Sequence, residues 1–226
     1  MEESYIGINV LRVMEHAKRY NESLVDLAAN NISPDQKVLD FGAGIGTLSE
    51  IFRNKGFDVS CIETNIEETN ILQSKGFKVY SDINSFEDNS LDNVVTYNVY
   101  EHIENDKDIL KQVYNKLKKD GKLFIFVPAF QKLYSKFDES LGHVRRYEQE
   151  DFFSLLQSAN FKIKEWHYFD SIGYLTALMY KHINNKGNIN KKQVIIYDKI
   201  ILPLSKICDH YFDKKFGKNI YAIATK

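Results

Sequence analysis

Residues 38 to 47 read Val-Leu-Asp-Phe-Gly-Ala-Gly-Ile-Gly-Thr: a short apolar run, then glycines at alternate positions, then the start of a helical pattern. No other stretch restricts the fold as much. A strand must stop where the glycines begin, and a helix must start where they end. Glycines at such a turn let the main chain approach a bound molecule closely, and the helix N-terminus behind them favours negative charge.

The rest of the chain repeats the alternation. After the first strand (Lys37 to Phe41), the pattern predicts a helix over Thr47 to Lys55 and a strand over Phe57 to Ile62. A helix over Asn65 to Ser74 and strands over Lys78 to Asp82 and Leu91 to Tyr97 follow. Ile109, Leu110, Val113, Tyr114 and Leu117 share one helical face, with Lys118 and Lys119 suited to its C-terminal dipole. Lys122 to Val127 is a further strand, Glu148 to Ala159 a helix, Phe161 to Tyr168 a strand and Asn219 to Ala224 the last strand. Strands apolar enough to be buried on both faces, alternating with helices, predict an α/β, Rossmann-like doubly wound sheet. A single domain is expected over 1–226, with an N-terminal helical cap over 1–33 and a helical insertion over 171–216 containing an exposed loop at Asn184 to Lys192. Pro128 to Tyr147 is a long polar and aromatic connection, and loops of that length are usually functional.

Composition limits the classes of function. Thirty Lys and Arg against 31 Asp and Glu leave a charge of −1, so no nucleic-acid partner is expected. Two cysteines, Cys61 and Cys208, make no disulfide framework and read as reduced thiols of a cytoplasmic protein. The first ten residues do not resemble a signal peptide. Ser171 to Tyr180 and Val194 to Leu204 are too short to span a bilayer, which excludes a transmembrane segment but leaves room for a helix lying on a membrane surface.

The ligand of the glycine turn follows from spacing and charge. A dinucleotide fingerprint, G-x-G-x-x-G, places its third glycine one residue later than Gly46. Asp40 just before the turn would oppose a pyrophosphate but suits an ammonium group. Glu63, at the end of the second strand, can accept both hydroxyls of a ribose. Asp82, after the third, can meet an adenine amino group while Ile83 covers the ring. Three carboxylates at successive strand ends suit a cationic amino-acid nucleoside, S-adenosylmethionine. In the plainer reading Glu63 and Asp82 are helix caps and the glycines merely close a turn; agreement of motif and element order weighs against it.

At this level of detail the chain resembles the class I S-adenosylmethionine-dependent methyltransferases, through VLDFGAGIGTLS (Val38 to Ser49), Glu63, YNVYEHIEND (Tyr97 to Asp106) and LKKDGKLFIFVP (Leu117 to Pro128). It is also similar to a narrower, methyltransferase type 11/12-like group. That likeness lies in RYN (Arg19 to Asn21), the VPA…LYS…D stretch (Val127 to Asp138), the LGHxRRY loop (Leu141 to Tyr147) and GKNIYAIATK (Gly217 to Lys226). The resemblance implies an antiparallel final strand. It also implies that Asp40, Gly42, Ala43, Gly44 and Gly46 surround the methionine part of the cofactor. Glu63 and Thr64 would lie at the ribose, Asp82 and Ile83 at the adenine, and Asn98 beside the cofactor. Tyr100 departs from the smaller aliphatic residue of the family pattern.

An acceptor would sit outside the carboxyl ends of the strands. His143 and His102 are the candidate bases, because histidine changes charge near neutral pH. Glu101 could orient His102, although the Glu101-His102 pair also suits a plain helix start. Arg145 and Arg146, beside His143 and Tyr147, make a candidate anion clamp, or else pair with Asp138, Glu139 or Glu148 to fix the loop. Tyr5 and Tyr20 are candidates to close over the cofactor. Some related ubiquinone-pathway O-methyltransferases hold a divalent metal near such a Glu-His pair. Here position 98 is Asn rather than a carboxylate, so no metal is expected. The expected function is methyl transfer to O or N of a small-molecule or lipid-like, anionic acceptor. A non-catalytic cofactor-binding subunit is the first alternative and a nicotinamide-dependent oxidoreductase the second.

Overall fold

In the computed structural model, which describes residues 2–183, 190–212 and 214–226, seven strands form one sheet in the order β3-β2-β1-β4-β5-β7-β6. They are β1 (Val38–Phe41), β2 (Val59–Ile62), β3 (Lys78–Tyr80), β4 (Leu91–Tyr97), β5 (Leu117–Pro128), β6 (Lys162–Phe169) and β7 (Asn219–Thr225). The first five pair in parallel, and β7 runs antiparallel to both β5 and β6. The expected Rossmann-like sheet and its antiparallel last strand are both present.

The apolar composition of the strands follows from burial on two faces. All four residues of β1 are buried. Leu39, Val94, Leu123, Ile125 and Ile220 point to one core, and Val38, Val95, Phe124, Phe126 and Ile223 to the other. The first core is closed by α5 (Asp106–Lys116) and α7 (Gln149–Ser158), whose Leu110, Val113, Phe152 and Leu156 are buried in it. The second is covered by α2 (Lys18–Ala29) and α3 (Thr47–Asn54), with α1 (Glu2–Met14) preceding them.

Local sequence explains several boundaries. Asn65 caps α4 (Ile66–Ser74) by accepting the amides of Glu67 and Glu68. α5 ends at Lys116, so Lys118 and Lys119 are not in its last turn as expected. Leu117 already pairs with Leu91, and Lys118 bonds Asp92 at 2.5 Å. The long connection after β5 contains a short α6 (Lys136–Ser140), started by a Ser135/Asp138 capping box.

Between β6 and β7 lie α8 (Ser171–Ile183), α9 (Lys191–Ile196), a π-helical turn (Tyr197–Ile201) and α10 (Leu202–Phe212). The predicted loop at Asn184 to Lys192 lies outside the described residues up to position 189. Its end is not loop, because Asn190 and Gln193 form a capping box that starts α9. Pro203 lacks the amide that an α-helix would use at that position, and the π turn falls just before it. Asp198 holds the insertion to the N-terminal cap by accepting the amides of Arg19 and Tyr20. Among the described residues no helix is long and apolar enough to cross a membrane.

Candidate functional site

The strand order changes direction between β1 and β4, and in open α/β sheets ligands bind at such a switch point, outside the carboxyl ends of the strands. The glycine turn lies there. Gly42 has φ +78° and Gly46 φ +82°, a region that favours glycine. A Cβ on Gly42 would fall 2.3 Å from Val99 Cγ2, and one on Gly46 would fall 2.7 Å from Leu72 Cδ2. The glycines are therefore needed first by the protein's own packing. Val99 lies against Gly42, and Leu11 of α1 lies against Gly44 at 3.0 Å from a Cβ placed there.

The acidic residues do not all present themselves in the same way. Glu63 joins the turn directly: one oxygen accepts the Gly44 amide at 2.8 Å, and the other accepts those of Thr64 and Asn65. A carboxylate held against the glycine loop at the end of β2 fits a ribose diol. Asp40 is 2% exposed and accepts a hydrogen bond from Ser49 Oγ, so it lies beneath the turn rather than open to the crevice. Burial pushes its carboxyl up to about 6, against the Ser49 bond that lowers it. Asp82 is exposed and caps the short 3₁₀ turn at Ile83–Ser85 through the Asn84 amide, while Ile83 is buried. Asn98 leaves β4 at φ +54° and is exposed; its amide bonds Phe126 O. Tyr100, the departure from the family pattern, is fully buried and packs on Phe41 at 6.1 Å.

Sequence reasoning missed Glu68. Its carboxyl is pushed up to about 7 by burial, then by the charge of Glu63 and a hydrogen bond with it. The available signal was its place three residues after the cap Asn65, which turns its side chain back toward the strand end.

Beyond β4 and β5, the connection 129–147 closes on itself. Ala129 bridges Tyr147, and Val144 N bonds Glu101 O at 2.8 Å. These contacts bring His143, His102, Glu101 and Asp138 together. His143 Nδ1 is 3.0 Å from Asp138 Oδ1, and its Nε2 is 3.9 Å from Glu101 Oε1. The two imidazole rings meet edge to face at 4.7 Å. Glu101 is fully buried, and among the described residues no other residue donates a hydrogen bond to either of its oxygens. Burial pushes it up to about 8, so it is protonated at neutral pH. Burial, and then His143, push His102 down to about 4, leaving it neutral. Burial raises Asp138, but bonds from His143 and Ser135 and the charge and bond of Arg146 outweigh it, and the carboxylate stays ionised.

Both arginines have carboxylate partners. Arg146 Nε donates to Asp138 at 2.8 Å from a nearly buried position, the loop-fixing arrangement. Arg145 is more open, donating to Asp106 at 2.5 Å and to Glu104 O. Tyr147 is buried, its hydroxyl bonded to Asp106 and to Tyr100 O. Tyr20 packs edge-on against Phe169 at 5.7 Å and is 7% exposed; the side chain of Tyr5 lies outside the described residues.

Glu101, His102 and His143 also bring one donor atom each within 4.8 Å of one another.

Sheet order and the glycine turn at its switch point together give a Rossmann-like fold of the methyltransferase class. The chain belongs to the family described as "Methyltransferase domain", whose family model matches residues 13–165. A protein of Staphylococcus carnosus (strain TM300), named only as an uncharacterized methyltransferase, is 29% identical over 145 residues. That match covers 61% of this chain and 66% of the relative's own length. A crystal structure from Thermotoga maritima, a possible histamine N-methyltransferase, covers 99% of both chains at TM-score 0.67 and 16% identity. A methyltransferase from Archaeoglobus fulgidus covers 84% of this chain and 86% of its own at TM-score 0.58 and 21% identity. At these identities the two structures establish the fold.

Proposed function

We propose that the protein transfers a methyl group to an O or N atom of a small-molecule or lipid-like, anionic acceptor, with His143 as the general base. The carrying observation is the buried Asp138–His143–Glu101 array on the connection beyond β5. Asp138 accepts a hydrogen bond from His143 Nδ1–H, which leaves the Nε2 lone pair facing Glu101 and the strand ends. Glu101, 3.9 Å from Nε2 and neutral, keeps a second negative charge away from a developing acceptor anion. His102, neutral and edge-on, holds the ring rather than taking the proton.

The bound cofactor supplies an electrophilic methyl on a sulfonium. Glu63 with Thr64 would take the ribose, Asp82 and Ile83 the adenine edge, and Asn98 would line the cofactor. Gly42, Ala43, Gly44 and Gly46 would carry the methionine part above buried Asp40. Leu11 and Val99, which lie against the turn, must give way as the cofactor enters. Glu101 and the half-exposed Arg145 would face the acceptor. Arg146 and Tyr147 act from behind, by holding Asp138 and the loop. In this reading the Glu101-His102-His143 cluster moves protons and holds no metal.

Calorimetry with S-adenosylmethionine tests the first half: a folded protein that binds none of it would refute the assignment. Once a turnover assay exists, His143→Ala is expected to lower kcat with the cofactor affinity unchanged. Equal kcat in that variant would remove His143 from the chemistry, and loss of activity on chelation would overturn the proton-relay reading.

A further inference from the structure

The chain's exposed large apolar residues are concentrated in one place. Leu175 and Met179 of α8 and Ile196, Ile200, Leu204, Ile207, Tyr211 and Phe212 of the helix running from Lys191 to Phe212 are each at least 40% exposed. Among the described residues, the rest of the protein contributes Ile66 of α4 and Val144 of the connection after α6.

On the long helix these positions follow a pattern. Val194, Asp198, Leu202 and Ser205 are buried against the body of the protein. Ile196, Ile200, Leu204, Ile207 and Tyr211 recur every three or four residues on the opposite side, with solvent-exposure of 49–71%. Lys192, Lys199 and Lys206 recur every seven residues, and all three are exposed. Helical spacing puts them along one border of the apolar stripe.

Charge identifies the occupant. The segment 171–216 contains eight lysines and three aspartates, a surplus of five positive charges in a chain of net charge −1. Asp198 and Asp209 are turned inward: the first accepts the amides of Arg19 and Tyr20, the second those of Asp170 and Ser171. Their charge is thus spent on internal bonds, and the lysines dominate the outer face. An apolar stripe bordered by lysines suits a surface that is itself apolar beneath and anionic on top. A protein groove would match the stripe but gives no reason for the lysine border.

We propose that the helix Lys191–Phe212, with α8 beside it, docks this protein onto the surface of an anionic lipid bilayer. The helix lies in the interface with Ile200, Leu204 and Ile207 entering the acyl boundary and the lysines at the headgroups. α8 rests on the connection that carries His143, through Phe130 against Tyr174 at 5.3 Å, so docking sets that side of the protein close to the lipid. Docking requires neither cofactor nor acceptor and stands or falls apart from the proposed reaction.

Co-sedimentation of the full chain with phosphatidylcholine vesicles, with and without phosphatidylglycerol, tests it. Binding is expected on the anionic vesicles, to fall at least about tenfold on neutral ones and to be reversed by about 0.5 M salt. The double variant Ile200→Glu, Ile207→Glu should lose vesicle binding while keeping its far-UV circular dichroism and its S-adenosylmethionine affinity. Replacing Lys192, Lys199 and Lys206 by Gln should weaken it without touching the core. No pelleting by the unmodified protein, or equal pelleting by the variants, would overturn the proposal. A dimer in sedimentation equilibrium that Ile207→Glu dissociates would assign the face to a second copy instead, and would also overturn it.

Discussion

The two ends of the crevice are built by opposite means. At the glycine turn the main chain does the work: three positive-φ glycines, a carboxylate gathering the amides of Gly44, Thr64 and Asn65, and a helix starting directly behind. Beyond β5 the work is done by side chains buried together, with Asp138 as the hub for Ser135, His143 and Arg146. A main-chain site keeps its shape when one side chain is lost. A buried charge cluster does not, because removing one partner leaves the others uncompensated.

That contrast can be broken most forcefully at Asp138. Asp138→Ala strands the Arg146 guanidinium in a nearly buried place and frees His143 Nδ1, and should cost roughly 3–5 kcal/mol of stability. A denaturant titration showing a loss below about 1 kcal/mol would mean the loop is not held by this cluster. Glu63→Ala should behave in the opposite manner. The fold loses little, while S-adenosylmethionine binding, read by calorimetry, weakens by roughly 100-fold as charged hydrogen bonds to the ribose are lost. Comparable losses of stability in both variants would erase the distinction.

The same contrast governs how much could be read from sequence. The turn, Glu63 and the strand order are legible because the constraints lie within a few residues of one another and each is a residue type with few alternatives. The cluster around Asp138 is legible only as a list of candidates. His143 and Arg146 stand five and eight residues from Asp138, but Glu101 arrives from another strand end, and no spacing predicts that its carboxyl is buried without a donor. Whether the two arginines would clamp an anion or fix the loop was likewise open, and Arg146 proves to be tied to Asp138. Glu68 escaped notice because an acidic residue in the first turn of a helix is ordinary until burial and Glu63 raise it. The glycines teach a different point: their motif was read as room for a ligand, and their first duty is room for Val99 and Leu72.

Protonation sharpens the comparison. The Glu101 carboxyl is pushed from 4.5 up to about 8, so the folded chain keeps a proton that the unfolded chain has released. Stability from this group is therefore greatest at low pH, declines as pH rises above about 4.5 and is lost above about 8. His102, pushed down to about 4, acts in the other direction, and only below its ordinary value of 6.5. Between pH 6.5 and 8.5, Glu101→Gln should thus flatten the fall in melting temperature, gaining roughly 5 °C over the unmodified protein at the upper end. Turnover, which in this reading uses the neutral carboxyl, should hold in the variant across that range instead of falling as Glu101 ionises above about pH 8. A parallel decline in both proteins would show that Glu101 is not the buried proton.

The smallest effect on the fold is expected at Arg145, whose side chain is 31% exposed and whose partner Asp106 is also held by Tyr147. An ion pair at that exposure contributes about 0–1 kcal/mol, so Arg145→Ala should leave denaturant stability and cofactor affinity nearly unchanged. If the guanidinium turns to an acceptor anion, kcat/KM should fall about tenfold, mainly through KM, and Arg145→Lys should restore only part of it because an ammonium cannot make the bidentate contact. A variant that keeps full kcat/KM with an anionic acceptor would leave Arg145 as a brace for Asp106. The acceptor end would then rest on His143 and Glu101 alone, with its preference for anions unsupported.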